Sequence, residues 1–158
     1  MSILPFFEWC ESSPLGSTIR SSQWVFPMME GLHLIGFTIV GGAILLVDLR
    51  LLGLAMTDQP VARLSDDTRP WLVGGVAAMI VSGLLLFVSE AVKCYYSVPF
   101  SVKMVTLVVA TLFTYTIRRR VAFSPSDSSD STRIAVALVS VTLWFIVAAS
   151  GRWIGFSG

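Results

Sequence analysis

Four long apolar runs, spaced along the chain by clusters of charge, constrain this sequence more than anything else in it. The first extends from Trp24 to Val47, interrupted only by Glu30 and His33. The second, Trp71 to Ser89, carries no charge. The third opens near Pro99 and closes at Ile117, with Lys103 near its start, and the fourth covers Ile134 to Gly151. Each is near the roughly 20 residues a helix needs to cross about 30 Å of hydrocarbon. In lipid every backbone polar group must be paired within the chain, so helices are the expected form. A barrel would need alternating polarity, and Leu84-Leu85-Leu86-Phe87-Val88 does not alternate. The composition agrees: 54% of the 158 residues are apolar and only 13% are charged, about half the charge of an average soluble domain. The expected fold is an all-α integral membrane four-helix bundle, a single domain with spans at about 24–47, 71–91, 99–117 and 134–153.

The first 23 residues differ from the rest. Phe6, Phe7 and Trp9 stand beside Glu8 and Glu11, without a basic leader or a long apolar stretch. This is the pattern of an amphipathic segment lying at the membrane interface rather than of a secretion signal. Ser12-Ser13-Pro14 interrupts it, and Pro27 suits the first turn of the first span. The stretch Ser124 to Ser131 reads as a polar connector. No internal repeat is visible.

Basic residues set the orientation. Arg50, Arg63 and Arg69 follow the first span, and Arg118, Arg119, Arg120 and Arg133 follow the third. Arg20, Lys93, Lys103 and Arg152 fall on the opposite side. Seven against four places the Arg-rich loops in the cytoplasm and both termini on the periplasmic side of a bacterial inner membrane. Cys10 and Cys94 then share the outer side, where a disulfide and two free thiols are both allowed. A net charge of +1 makes no case for nucleic acid. Soluble-enzyme signatures such as a P-loop, a nucleophile elbow or HExxH are absent.

Ionisable residues within spans carry most of the functional information, because they are costly there. Glu30, His33, Phe37, Gly41, Ile44 and Asp48 follow one another at intervals of 3, 4, 4, 3 and 4 residues, one stripe of a helix. Lys103, Thr106, Ala110 and Thr114 form a small polar stripe on the third span, and Trp144, Ala148 and Arg152 one on the fourth. Gly74, Ala78 and Ser82 give the second span a small-xxx-small seam, and Gly41 and Gly42 suit close approach to the first. Glu30, His33, Glu90, Lys103 and Arg152 all fall in the outer half of the membrane. Plainer readings exist for each. Lys103 and Arg152 can snorkel, Trp24, Trp71 and Trp153 suit an interfacial belt, Asp48 can pair with Arg50, and His33 can serve as a helix–helix hydrogen bond. Met28, Met29 and Met104 lie near the same outer level and are available as thioether ligands.

Several motifs together resemble an uncharacterised family of small four-span bacterial membrane proteins. They are Trp9 to Arg20, then Phe26-Pro27 with Glu30, His33 and Gly36, then Asp48-Leu49-Arg50 to Gly53, Arg69-Pro70-Trp71, Gly83 to Phe87, Pro99 to Met104, and Gly151-Arg152-Trp153. A more distant likeness, carried by His33, Arg50 and Val102-Lys103-Met104, is to the membrane-bound protoporphyrinogen oxidase and copper-resistance D families. The former binds haem with a His of its first span and has an essential Lys at its third. The likeness implies His33 as an axial haem ligand and Lys103 as a polar partner near the porphyrin. The second His that often ends that family's first span is missing here.

Three functions follow as expectations. The first is a haem b protein for electron transfer or porphyrin redox chemistry, with a quinone among its candidate partners. In it His33 ligates iron, Glu30 orients the ring, and Lys103 and Arg152 neutralise propionates. The second is a non-catalytic accessory subunit of a larger respiratory, photosynthetic or transport complex, a reading that a protein running only as a small homo-oligomer, the other expected assembly, would count against. The third is a proton, metal or solute carrier, which the apolar interval from Leu34 to Val47 and the missing inverted repeat disfavour.

Overall fold

The computed structural model describes residues 3–124 and 128–156, so Pro125, Ser126 and Asp127 of the expected connector lie outside the described residues. The chain is all-helical: α1 (Leu4–Ser12), α2 (Pro14–Ser21), α3 (Val25–Leu51), α4 (Val61–Ser89), α5 (Ala91–Tyr96), α6 (Val98–Phe113), α7 (Arg119–Phe123) and α8 (Asp130–Ile154). A π-helical turn, Thr114–Arg118, joins α6 to α7. Among the described residues four helices are long and apolar enough to cross a membrane: α3, α4, the continuous Val98–Phe123 and α8. The protein is a multi-span membrane bundle.

Short-range chemistry sets the helix boundaries. Ser13, Ser97 and Ser129 cap α2, α6 and α8, each hydroxyl accepting a backbone N–H three residues on. Pro14 and Pro99 follow two of these caps, where no ladder donor is lost. Pro27 falls in the first turn of α3, where its missing N–H likewise has no helical partner. Gly53, at a φ of +71°, makes the turn that ends the first span. The helix of the second span, α4, begins ten residues before the charge-free run and passes through Pro70. Packing explains the extension, since Val61 and Leu64 are buried against Val47, Leu51, Val121 and Ala122.

Two extensive antiparallel pairings build the bundle, α3 with α4 and α6 with α8, and α3 joins them through α8. The α3–α4 seam is set by Gly36 and Gly75. A Cβ on Gly75 would stand 2.8 Å from Val40 Cγ2 and 3.2 Å from the Gly36 carbonyl. The glycines expected at close approach, Gly41, Gly42 and Gly74, have open space there instead. Apolar side chains face both inward and out. Val40, Ile44, Met79, Ala110, Trp144 and Val147 form a central buried cluster, while Leu34, Ile35, Val81, Leu84 and Phe145 are exposed. In lipid both faces are apolar, so packing density rather than burial from water holds the helices together.

The N-terminal segment is two helices folded onto one end of the bundle. Phe7 stacks edge-on against Phe87 and Tyr95 at 5.6 and 5.1 Å. Gly16 lies so close to α4 that a Cβ there would meet the Val88 carbonyl at 2.7 Å. Glu11 accepts the Val92 N–H at 2.7 Å and pairs with Arg20. The outer surface of α1 keeps Phe6 and Trp9 exposed. With Trp24, Tyr96, Trp153 and Phe156, also exposed, these residues make this end aromatic, and the opposite end holds seven of the nine arginines.

Candidate functional site

Helical rise brings three spans to one level. From the aromatic end, His33 lies about 12 Å into α3, Lys103 about 8 Å into α6, and Gly83 about 9 Å from the end of α4. His33 Nδ1 is 3.0 Å from Ser82 Oγ. Ser82 is fully buried, and its hydroxyl donates to the Ala78 carbonyl at 2.6 Å. With that hydroxyl hydrogen on the Ala78 carbonyl, the imidazole would donate from Nδ1. A neutral ring in this tautomer keeps a lone pair on Nε2. The ring lies against the backbone of Gly83, where a Cβ would approach Cε1 to 3.1 Å.

Lys103 comes from the other helix pair. Its side chain lies along Gly151 of α8, where a Cβ would be 3.3 Å from Nζ. It acts electrostatically on His33 and on Cys94. No hydrogen bond or ion pair engages it among the described residues. Glycines on α4 and α8 thus make room for the imidazole and for the ammonium.

Two other residues expected here turn away. Glu30 is exposed, without a partner among the described residues, and Ser82 takes the place at the His33 ring that the one-turn spacing assigned to Glu30. Arg152 is exposed and lies over the Phe156 ring, 4.7 Å from its centroid. Glu90 pairs with Lys93 at 3.8 Å beyond the end of α4. Met28 and Met104 are exposed. Cys10 and Cys94 are buried free thiols. Burial, with the Glu90 carboxylate nearby, pushes the Cys94 thiol up to about 11.

A second polar centre lies toward the Arg-rich end. Asp48, fully buried, accepts from Arg118 Nε at 2.6 Å, and the same guanidinium donates to the Ile44 carbonyl at 2.8 Å. Asp48 does not pair with Arg50, which donates instead to the Gln59 carbonyl at 2.7 Å. Ser140 of α8 faces the carboxylate, yet among the described residues neither Asp48 Oδ2 nor Ser140 Oγ, both buried, makes a hydrogen bond of ordinary geometry. Trp144 donates to Thr114 Oγ1 at 3.1 Å one turn away. The sequence carried a signal for this centre. The stripe Lys103 to Thr114 reaches Arg118 one turn on, and the stripe Trp144 to Arg152 reaches Ser140 one turn back.

Of the residues expected to hold a haem, His33 would offer one axial ligand and Lys103 a cation for a propionate, while Glu30 and Arg152 are exposed apart from that pair. No group of three or more His, Cys, Asp or Glu residues able to hold a metal ion occurs among the described residues.

The chain matches, over residues 6–157, a family described as a family of unknown function (DUF6644). No curated protein and no solved structure matches it.

Proposed function

Because the chain belongs to this DUF6644 family, we propose its role from its own residues, as a small membrane protein binding haem b through His33 near the aromatic end. One observation carries the reading: Ser82 Oγ stands 3.0 Å from His33 Nδ1, the kind of contact that orients an imidazole for ligation through Nε2. Bound haem would supply one-electron redox chemistry, toward a quinol or an outer partner. Ser82 sets the ring's orientation, Gly83 lets it lie against α4, and Lys103 offers a propionate its positive charge. The cellular setting belongs to the same proposal. The seven-to-four distribution of basic residues favours a bacterial inner membrane with the Arg-rich end in the cytoplasm and both termini in the periplasm.

Absorbance spectra of purified protein, oxidised and reduced, after expression with haem supplied, test this. The wild type is expected to show a Soret band, and His33→Ala to lack it. Ser82→Ala should keep the ligand but weaken retention about tenfold, the lower range for loss of a group that orients a metal ligand. A wild type without a Soret band overturns the assignment. If that protein also migrates with a larger membrane complex after gentle extraction, the accessory-subunit reading replaces it.

A further inference from the structure

The three consecutive arginines at the end of the third span meet different fates. Arg118 turns inward to Asp48. Arg119 lies over its neighbour Phe123, 5.4 Å from the ring centroid. Arg120, two residues and about 200° beyond Arg118 on a helix, faces the opposite way. It is exposed, and no hydrogen bond or ion pair engages its guanidinium among the described residues. With Thr116, Ile117 and Val121 it lines an open concavity of about 430 Å³.

Depth identifies what this surface meets. At 1.5 Å per residue from Val98, Ile117 lies about 29 Å and Arg120 about 33 Å along the span. The hydrocarbon is about 30 Å thick. With Val98 set at one hydrocarbon boundary, Ile117 falls at the other and Arg120 at the phosphate level. Toward the bilayer centre the same helix exposes Leu112 and Val108. The Thr116 hydroxyl donates to the Leu112 carbonyl, leaving Arg120 as the outward donor. A planar guanidinium is the side chain best matched to two phosphate oxygens.

We propose that this concavity binds an anionic phospholipid, its phosphate on Arg120 and an acyl chain along Ile117 toward the bilayer centre. A free phosphate would use the guanidinium and leave the apolar wall empty. The site is independent of His33 and of any haem.

The test uses the full-length protein in nanodiscs of phosphatidylcholine alone or mixed with phosphatidylglycerol. Lipid retained after transfer to detergent is then counted by native mass spectrometry. Wild type should retain phosphatidylglycerol over phosphatidylcholine. Arg120→Gln should retain it about fivefold less, the attraction of one basic residue at a membrane surface, with an unchanged unfolding temperature. Arg119→Gln should lose less. Equal retention of the two lipids, or equal retention by wild type and Arg120→Gln, overturns the proposal. So does full displacement of the lipid by glycerol phosphate, which would mark a free-phosphate site.

Discussion

Asp48 and Arg118 meet 70 residues apart in sequence and inside the bundle, with side-chain exposures of 0% and 5%. Removing one partner strands the other charge in a low-dielectric interior, which costs far more than the intact pair contributes. Arg118→Ala is therefore expected to destabilise the bundle by about 3–5 kcal/mol, read from thermal unfolding in detergent. The double change Asp48→Leu with Arg118→Met should be milder than either single change, and a cost equal to their sum would remove the pairing argument. Cys94 offers a pH test. Its thiol titrates near 11 in the fold, above its ordinary value of 9.0. Below pH 9 both folded and unfolded chains hold the proton. Between 9 and 11 only the unfolded chain releases it, so stability falls as pH rises through that window. Unfolding midpoints measured from pH 8 to 11 should decline in wild type and less in Cys94→Ala.

Elements behave according to what they pack on. The amphipathic N-terminal stretch was legible from Phe6, Phe7, Trp9 and Glu11, and Ser13-Pro14 marks the division that separates α1 from α2. Its docking was not legible, because it depends on the Gly16 backbone meeting Val88 and on Glu11 reaching the Val92 amide. Gly16→Val places side-chain atoms where the Val88 carbonyl stands, so α2 must lift from α4. Cys10, 6% exposed in the closed arrangement, should then react with a maleimide several-fold faster than in wild type. An unchanged labelling rate would show that the cap is held by other contacts. The π turn at Thr114–Arg118 inserts an extra residue into the third span just where Arg118 enters the interior, a common association of such turns with buried polar contacts.

At the scale of the whole molecule, polarity is confined to two levels. His33 and Asp48 are 15 residues apart on α3, about 22 Å. Between them lie Val40, Ile44, Met79, Ala110, Trp144 and Val147. Among the described residues this apolar layer separates the two polar levels. Proteoliposomes containing the protein are expected to hold an imposed pH gradient as long as protein-free liposomes do, and rapid dissipation would contradict the layer's role. The proposed orientation has its own measurement. Reporter fusions after Gly158 should be active only in a form that functions in the periplasm, and cytoplasmic activity would reverse the assignment.

The sequence by itself determined that the chain is a four-span helical membrane protein, since backbone pairing in lipid leaves a run of about 20 apolar residues few other forms. It also determined which residues are costly inside a span, because that cost depends on depth along the chain. Only the tertiary structure decided which of these charges meet. Helical periodicity assigns a face to each residue, but the neighbour presented to that face depends on how the helices are rotated and paired. Those rotations go with close approaches at Gly36, Gly75, Gly83 and Gly151, where a Cβ would crowd its neighbour. They brought Ser82 rather than Glu30 to His33, laid Lys103 beside Gly151, left Arg152 outside, and closed Asp48 on Arg118.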